Sequence, residues 1–306
     1  MPEEPDYMYL PSGTVINNRY VVKKNLVERS NQAIVYLAFD QNEKKEVVIK
    51  EFFPRDLVLR GLYGIKAVLK EIRLEDEFAR RKGIFNREAR LVSKFNNNNI
   101  VKVYNSFDAN DTSYIVFKYY RAPNLRQFLS AGELSMLEFF RKIFFPLLDT
   151  VDFIHKKNYL HGDIKPDNII ITKEGPVLLD FGSAINFKKN DREQMFISPG
   201  FSPLEFYSPR ARKGPYSDIY SFTALFYYFL TGREPAPARK RIHEDPLRLP
   251  GASNKEVSPY LNKLIKKNLS LHSSGRDKNI KTFKTKFLFA YLKLRGERLI
   301  KRYILG

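Results

Sequence analysis

The stretch YLHGDIKPDN, residues 159–168, places three strongly polar side chains, Asp163, Lys165 and Asn168, between an apolar helical pattern and an apolar strand pattern. Unpaired charges are costly in such surroundings, so these side chains need partners or a ligand. The segment NIIITKEGPVLLD begins at Asn168 and predicts two short strands around the turn KEG, with Asp180 at the end of the second strand. This hairpin would bring Asn168 and Asp180 to the same end of the paired strands.

The same residues indicate a chemistry. One amide oxygen and one carboxylate are hard oxygen ligands that suit Mg²⁺ and leave positions for phosphate and water. Asp163, two residues after His161, could accept a proton from a hydroxyl nucleophile. For any single residue a capped turn with solvated charges is the alternative, but the whole set at this spacing favours a phosphate-handling site.

A second unusual feature is Glu88, which interrupts the apolar face of a helix predicted over FNREARLVSKF, from Phe85. A carboxylate on that face needs a cation, and Lys50, at the end of the predicted strand EVVIK, is the natural candidate. A lysine held in this way could reach the α- and β-phosphates of a nucleotide. The alternative is a glutamate that extends to solvent.

The predicted elements form a β-rich amino-terminal third followed by a mainly helical remainder. SMLEFFRKIFFPLLDTVDFIHKK predicts one long helix in which Pro146 could produce a kink. DIYSFTALFYYFLTG is apolar nearly all round, so it predicts a buried helix that begins after Ser217 and ends at Gly232.

Composition excludes several classes of protein. The chain of 306 residues has no cysteine, which rules out disulfides, thiolate zinc clusters and cysteine nucleophiles. Its longest apolar run, residues 219–230, is shorter than the roughly 18 residues of a membrane span, and its acidic, proline-rich start is unlike a signal peptide. We therefore expect a soluble protein without a transmembrane segment. Lys and Arg number 53 against 34 Asp and Glu, a net charge of +19 that attracts anionic partners but does not choose a fold.

The motifs VVIK with Glu88, HGDIKPDN, DFG, SPGFSPLE and SDIY stand in the order of a protein kinase catalytic domain. From about Arg19 to Phe283 the chain resembles this family, and within it a group of bacterial eukaryotic-like Ser/Thr kinases with IKEFFP- and PLLD-type sequences. The resemblance implies an α+β, two-lobed fold: a β-rich N-lobe at 1–120 with one key helix, and a mainly helical C-lobe at 121–306. It also implies Mg-ATP-dependent transfer of the γ-phosphoryl group to a Ser or Thr hydroxyl of a protein.

By the resemblance, the catalytic positions of the family fall on residues already singled out. Asp163 would position and deprotonate the acceptor hydroxyl, and Lys165 would stabilise charge on the transferred phosphoryl group. Asn168 and Asp180 would hold Mg²⁺.

The resemblance also assigns residues to ATP binding, peptide docking and support. Lys50, paired with Glu88, would contact the ATP phosphates. The adenine would be surrounded by Val27, Val35, Val48, Ile170, Phe117 and the hinge residues Lys118 and Tyr119. Residues 199–205 resemble the peptide-docking segment, in which Glu205 would pair with Arg276. Asp218 would brace the catalytic loop.

The chain departs from the family pattern at the nucleotide loop. The glycines expected there fall on Glu28, Ser30 and Ala33, and Val48 replaces a small alanine. Because glycine lets the backbone approach phosphates closely, we expect weaker or altered nucleotide binding. A pseudokinase that acts as a scaffold therefore stays an alternative.

The triplet His161-Gly162-Asp163 departs from the family in a second way, because it lacks the arginine that would neutralise a phosphorylated activation segment. We expect activity that is constitutive or controlled by a partner. Ser183 and Ser198 are the candidate phosphosites, and a manyfold rise in activity when either is phosphorylated would contradict this expectation. The HGD triplet also suggests a small-molecule kinase of the aminoglycoside or choline type. Lys165 and the segment 198–205 favour a protein substrate instead.

The remaining features concern partners. An insertion at about 55–82 lengthens the separation of Lys50 and Glu88 and resembles a hairpin of the same bacterial group.

Residues 281–306 hold eight Lys or Arg against one Glu, so they could contact an anionic membrane or a partner, although a solvated last helix is the alternative. Basic runs at 80–82, 210–213 and 239–241 suggest an acidic substrate. No nucleic acid is expected, since no recognition motif accompanies the charge. The location would be cytoplasmic or, for an effector, a host cell.

Overall fold

The computed structural model describes residues 8–26, 31–132, 134–189, 195–252, 254 and 256–305, with side chains to residue 300. Two compact units are distinguished: an amino-terminal unit of residues 1–96 and 101–121, and a carboxy-terminal unit of residues 97–100 and 122–306. Val27, Glu28 and Ser30, which the sequence places over the nucleotide, lie outside the described residues.

Antiparallel strands form the framework of the amino-terminal unit. In chain order they are β1 (Val15–Ile16), β2 (Tyr20–Asn25), β3 (Ala33–Asp40), β4 (Lys45–Phe52), β5 (Val58–Arg60), β6 (Ala67–Leu69), β7 (Val103–Ala109) and β8 (Thr112–Lys118). Six of them make one sheet in the order β1-β2-β3-β4-β8-β7, and β5 pairs with β6 in a separate hairpin. Successive side chains alternate between the two faces of the sheet, so Tyr36, Ile49 and Val116, which are cross-strand neighbours, all lie in the buried core of one face.

Helix α1 (Glu75–Val92) begins ten residues before the predicted start at Phe85. Three acidic residues occupy its first turn, where their negative charge stabilises the helix by interacting favourably with the helix dipole. Phe78 in the added turns packs against Phe52, with ring centroids 5.2 Å apart. The 55–82 insertion therefore consists of the β5–β6 hairpin followed by the first turns of α1.

A buried ion pair ties this hairpin to the sheet. Arg60 on β5 donates from Nη1 and Nη2 to the two carboxylate oxygens of Glu51 on β4, at 2.7 Å each. The hydroxyls of Tyr36 and Tyr114 donate to the same carboxylate at 2.9 Å. Burial, together with the negative Glu51, raises the pKa of both tyrosines, so they stay protonated as donors. Arg60 also lies over the ring of Phe53, with 4.2 Å between its Cζ and the ring centroid.

The substitution Arg60→Leu should lower the free energy of unfolding by about 3–5 kcal/mol, because it leaves the Glu51 carboxylate buried without its cation. Urea unfolding followed by circular dichroism would measure this. The double variant Arg60→Leu/Glu51→Leu should recover part of the loss. Arg73, whose ion pair with Glu71 is exposed, provides the control, since Arg73→Leu should cost no more than about 1 kcal/mol. Equal losses for Arg60→Leu and Arg73→Leu would contradict a structural role for the buried pair.

Helices dominate the carboxy-terminal unit, as the sequence predicts. They are α2 (Leu125–Ala131), α3 (Met136–Phe139), α4 (Phe145–Lys156), α5 (Pro215–Thr231), α6 (Pro259–Asn268) and α7 (Ile280–Leu305). Its short strands are β9 (Tyr159–Leu160), β10 (Ile169–Thr172), β11 (Gly175–Leu178) and β12 (Ile185–Asn186). β9 pairs with β12, and β10 pairs with β11 in the predicted hairpin.

Two predicted helices differ in detail from the structure. The single long helix before the catalytic stretch is divided into α3, a π-helical turn at Phe140–Phe144, and α4. Pro146 in the first turn of α4 has no backbone N–H to donate, which fits the irregular turn just before it. Helix α5 begins at Pro215 rather than after Ser217, whose hydroxyl donates to Glu205 Oε1 at 2.7 Å. It ends before Gly232, as predicted, and that glycine is left-handed with φ +66°.

Phenylalanine rings fill the core of this unit. Phe144 on the π-helical turn contacts Phe226 of α5 and Phe287 of α7, with ring centroids 5.0 and 5.1 Å apart. The apolar α5 is thereby surrounded by other helices and holds its polar side chains in fixed positions. Among the helices described, none combines the length and the apolar character required to cross a membrane.

Candidate active site

The backbone of the segment after β9 is held by hydrogen bonds to one buried carboxylate, that of Asp218 on α5. The backbone N–H groups of His161 and Gly162 donate to Asp218 Oδ2 and Oδ1 at 2.9 and 3.0 Å. His155 Nε2 lies 2.7 Å from Oδ2. Burial alone would raise the pKa of Asp218, but the hydrogen bond and charge of His155 outweigh it, and the pKa is lowered. The predicted bracing of the loop by Asp218 is confirmed.

The carboxylate of Asp163 is the centre of a four-residue cluster. Its Oδ1 accepts a hydrogen bond from the hydroxyl of Ser198 at 2.6 Å. Its Oδ2 accepts from Lys165 Nζ and from Asn168 Nδ2, both at 2.8 Å. Lys165 Nζ also lies 2.8 Å from Ser198 Oγ. A hydroxyl, a carboxylate and a cation are therefore in mutual contact, which is the arrangement needed to orient a hydroxyl and remove its proton.

The β10–β11 hairpin places Asn168 and Asp180 at the same end of the paired strands, as the sequence predicts. The N–H of Leu179 donates to the backbone carbonyl of Asn168 at 2.8 Å, which brings the two segments together. Asp180 adopts a left-handed conformation, with φ +53°, that is uncommon for a residue with a side chain. Its Oδ1 accepts from the N–H of Gly182 at 3.3 Å.

The donor set fits Mg²⁺ only in part. Asn168 and Asp180 offer hard oxygen atoms of the kind that Mg²⁺ prefers, and phosphate and water would have to supply the others. No group of three or more His, Asp or Glu side chains suited to a metal is found among the residues that the structure describes.

In the amino-terminal unit, Lys50 and Glu88 form the predicted ion pair. Lys50 Nζ on β4 donates to Glu88 Oε2 on α1 at 2.8 Å. The Glu88 side chain is 1% exposed, whereas the Lys50 side chain is 16% exposed. The alternative of a glutamate that extends to solvent is therefore wrong, and the partly open lysine is held in place by a fully buried carboxylate.

Strand register puts the predicted adenine residues of this unit beside Lys50. Val35 is opposite Lys50, and Val48 is opposite both Leu37 and Phe117. Cross-strand partners share a face, so Val35, Val48 and Phe117 lie on the face that carries Lys50. Lys118, which is exposed, ends β8 and is followed by the half-buried Tyr119. Ile170 belongs to the carboxy-terminal unit, half-buried on β10.

The segment that the resemblance assigns to peptide docking is fixed by a second predicted ion pair. Arg276, which is 2% exposed, donates from Nη1 and Nη2 to Glu205 at 2.7 and 3.1 Å. Its Nε and Nη2 also donate to the carbonyls of Ser270 and Leu271. The end of the segment 198–205 is thus held by a guanidinium that has almost no contact with solvent.

The family of the chain follows from its similarity to known proteins. The protein kinase domain model matches residues 29–288, which is most of the chain. The chain belongs to the protein kinase domain family. A probable serine/threonine-protein kinase of Clostridium acetobutylicum is 28% identical over 280 residues, covering 87% of this chain and 39% of that protein. A probable serine/threonine-protein kinase PknB of Bifidobacterium longum is 29% identical over 225 residues, covering 69% of this chain and 30% of that protein.

Solved kinase structures confirm the fold. PpkA-294 in its apo form is 27% identical and has a TM-score of 0.75, covering 91% of this chain and 99% of its own. The PknI kinase domain of Mycobacterium tuberculosis, at 19% identity, has a TM-score of 0.68 over 93% of this chain. The α+β kinase fold, with a β-sheet N-lobe and a helical C-lobe, is therefore confirmed. The chain spans about a third of the length of the curated relatives it matches.

The surroundings of Gly162 explain why this kinase domain has no arginine before Asp163. The φ of Gly162 is +80°, and a β-carbon there would lie 2.5 Å from the carbonyl oxygen of Ser183 and 2.6 Å from Met195 Cε. Met195 belongs to a buried apolar cluster with Leu160, Ile185 and Phe206. The space that a larger residue would enter is therefore filled by the backbone and an apolar side chain of the segment after DFG.

Three residues of the kinase site were not predicted in these roles. Ser198, predicted as a candidate phosphosite and as the first residue of the segment 198–205, contacts both Asp163 and Lys165. His161 Nε2 lies 2.9 Å from the carbonyl oxygen of Leu179. This contact joins the HGD sequence to the residue just before the DFG sequence. Arg126 on α2 forms two 2.8 Å hydrogen bonds with the carboxylate of Asp167. The two residues of each contact are 18 to 41 positions apart in the sequence, so no local sequence pattern predicts the contact.

Replacing Gly162 by alanine should destabilise the kinase domain by at least about 2 kcal/mol, because the β-carbon is strained at this φ and overlaps Ser183. Thermal unfolding, with phosphoryl transfer measured alongside, tests this. Gly83, inside α1, is the matched control, since a β-carbon there meets nothing within 4 Å. Gly83→Ala should stabilise the protein by roughly 0.5–1 kcal/mol. An unchanged melting temperature for Gly162→Ala would show that the segment after DFG is not packed as described.

Proposed function

We propose that this chain is an ATP-dependent serine/threonine protein kinase. One observation carries the proposal: the Asp163 carboxylate holds the Ser198 hydroxyl at 2.6 Å while Lys165 Nζ contacts the same hydroxyl. A substrate hydroxyl presented to Asp163 would meet the same two groups. The names of the kinase relatives favour this function over a scaffold or a small-molecule kinase.

The proposed mechanism follows from the positions of these groups. Asp163 accepts the proton of the substrate hydroxyl as its oxygen forms a bond to the γ-phosphorus of ATP. The bond from that phosphorus to the bridging oxygen breaks on the opposite side, and ADP is the leaving group. Lys165 balances the charge that spreads over the transferred group. Bound Mg²⁺ would neutralise phosphate charge, with Asn168 and Asp180 as its protein ligands.

The proposal for ATP binding rests on the amino-terminal unit. The ion pair with Glu88 keeps Lys50 in one orientation, which suits contact with the α- and β-phosphates. Val35, Val48 and Phe117 give the same sheet face an apolar surface of the kind that an adenine ring packs against. The nucleotide loop without glycine remains the observation that favours weak binding and the scaffold alternative.

The substitution Asp163→Asn should lower the rate of phosphoryl transfer by roughly 10²–10⁴-fold, since it keeps the shape but removes the base. Transfer from γ-labelled ATP with Mg²⁺ to mixed protein substrates measures the effect. Asp111→Ala, which removes an exposed carboxylate paired with Lys66, should leave the rate unchanged. Equal label with Asp163→Asn and wild type would contradict the enzyme proposal. Label found only in aminoglycosides or choline would favour the small-molecule kinase.

We also propose that the protein substrate is acidic near its phosphorylated residue. The acids beside the catalytic loop, Asp167 and Glu234, are both bound by Arg126, at 2.8 Å. This ion pairing lowers the pKa of Asp167 against the effect of its partial burial. These two carboxylates therefore do not offer an unpaired negative charge to a basic peptide.

The basic runs contribute less to this surface than the sequence suggests. Arg80, Arg81 and Lys82 form ion pairs with Glu77, Asp56 and Asp108, so the run 80–82 is neutralised. Lys213 and Arg241 are buried, and Arg241 is bound by Asp245. The exposed cations that remain from the runs are Arg210, Arg212, Arg239 and Lys240. Arg239 acts electrostatically on Tyr207, two residues past Glu205, so at least this cation lies near the end of the docking segment.

A serine peptide flanked by Asp and Glu should be phosphorylated with a kcat/KM roughly tenfold higher than a peptide flanked by Arg and Lys. The difference should shrink as salt is raised, because exposed charges are screened. Arg210→Gln/Arg212→Gln should reduce the preference, whereas Lys24→Gln, which removes an exposed cation of the amino-terminal unit, should not. A preference for the basic peptide would overturn this proposal while leaving the kinase activity intact.

Finally, we propose that residues 281–306 contact an anionic surface. α7 occupies most of this range, which holds eight Lys or Arg against one Glu. Kinase activity does not depend on this contact, since no residue of α7 belongs to the catalytic cluster.

A further inference from the structure

Helix α7 has an inner face that the carboxy-terminal unit covers. Phe283 and Phe287 are fully buried, and Ala290 is 6% exposed. An α-helix turns about 100° per residue, so these three side chains share one face, which packs on α4 and α5. From Tyr291 to Ile300 no residue of α7 is classed as buried. The second half of the helix is therefore held mainly through the first.

A second apolar face of α7 is left uncovered. Leu288, Leu292 and Leu299 are 39%, 52% and 52% exposed, and Phe289 and Ile300 are 57% and 60% exposed. At about 100° per residue these five side chains fall within an arc of about 120°, roughly opposite the buried phenylalanines. Phe289 touches Tyr260 edge-on, at 5.3 Å between ring centroids, yet most of its surface is free. A soluble helix ordinarily turns charged residues toward this side.

Cations border this apolar stripe. By the same geometry, Arg295 and Lys293 fall about 20° beyond its two edges, and Lys281 lies in line with it about two turns before Leu288. None of the three has an ion pair within the part of the chain that the structure describes. Glu297 lies about 60° beyond the nearer edge.

Acidic neighbours do not neutralise these three cations. Asp149 pairs with Lys284, Asp277 pairs with Lys286, and Glu256 pairs with Arg298 at 2.7 Å. Each of these acids is thus used by another cation of α7. The stripe and its border therefore combine exposed apolar area with unpaired positive charge along a single helix.

We propose that the outer face of α7 binds an anionic lipid surface. The five exposed apolar side chains would enter the boundary between headgroups and acyl chains, while Lys281, Lys293 and Arg295 would contact the negative headgroups. An acidic protein would satisfy the cations, but it would leave no reason for five uncovered apolar side chains between them. This inference specifies the proposed anionic contact of residues 281–306 and is independent of the kinase activity.

Co-sedimentation of the full chain with vesicles tests this directly. The chain should bind vesicles of phosphatidylcholine and phosphatidylserine, and should bind phosphatidylcholine vesicles at least tenfold more weakly. Lys293→Gln/Arg295→Gln should weaken binding roughly tenfold or more, at about fivefold per cation. Leu292→Ser/Leu299→Ser should weaken it comparably, because it removes two of the five apolar side chains of the stripe.

Two control variants test whether the loss of binding is specific to α7 or follows from any loss of exposed cations or exposed apolar area. Leu62 and Tyr63, on the hairpin, are 103% and 92% exposed, so Leu62→Ser/Tyr63→Ser removes similar apolar area elsewhere. Arg90→Gln/Lys94→Gln removes two exposed cations from the other unit. Neither pair should change vesicle binding, and all four variants should melt as wild type does.

Three results would overturn the inference. The first is the absence of binding to phosphatidylserine vesicles, and the second is equal binding by wild type and the α7 variants. The third is binding to polyglutamate, but not to vesicles, that the Lys293→Gln/Arg295→Gln variant loses, which would indicate an acidic protein partner. Phosphoryl transfer by the same preparations, measured without vesicles, would show separately whether the kinase proposal stands.

Discussion

The geometry of the catalytic loop depends on one carboxylate that water does not reach. Asp218 is 0% exposed, and its oxygens bind two consecutive backbone N–H groups together with His155. A buried charge is tolerated only when its hydrogen-bonding capacity is satisfied. The loop must therefore keep the one backbone path that supplies both N–H groups. That path turns Asp163, the next residue, toward Lys165, Asn168 and Ser198.

The same constraint explains which parts of the site could be predicted from sequence. A charged residue within an apolar pattern must find a partner of opposite charge, even one far along the chain. This reasoning predicted the pairing of Glu88 with Lys50, and the family resemblance supplied that of Glu205 with Arg276; both are present. The hairpin that brings Asn168 near Asp180 followed from local turn chemistry. The β-rich start and helical remainder followed from apolar periodicity.

Other features depend on contacts that no local pattern encodes. The charged segment at the start of α1 becomes helical because Phe78 packs on Phe52. The buried contact of Arg60 with Glu51 links a hairpin insertion to a strand of the sheet, and neither residue stands out in the sequence. The site contacts of Ser198 and Arg126 likewise join segments separated by more than 30 residues. The prediction of the start of α1 is ten residues too late for the same reason, since packing of Phe78 on Phe52 extends this helix.

The distribution of the positive charge matters more than its total. Two arginines inside the fold are unavailable to a partner. Arg276 binds the buried carboxylate of Glu205, and Arg241 binds Asp245 and the carbonyl of Leu269. The run 80–82 is neutralised at the surface by nearby acids. The unpaired cations of α7 border a stripe of exposed leucine, phenylalanine and isoleucine. Arg210 and Arg212 differ from them, because no large hydrophobic side chain is exposed between residues 198 and 213. Under the two proposals, a small acidic peptide would bind at the docking segment through charge alone, and a lipid surface would bind α7 through charge beside an apolar stripe. The excess charge would then serve two surfaces, each with a different kind of anionic partner.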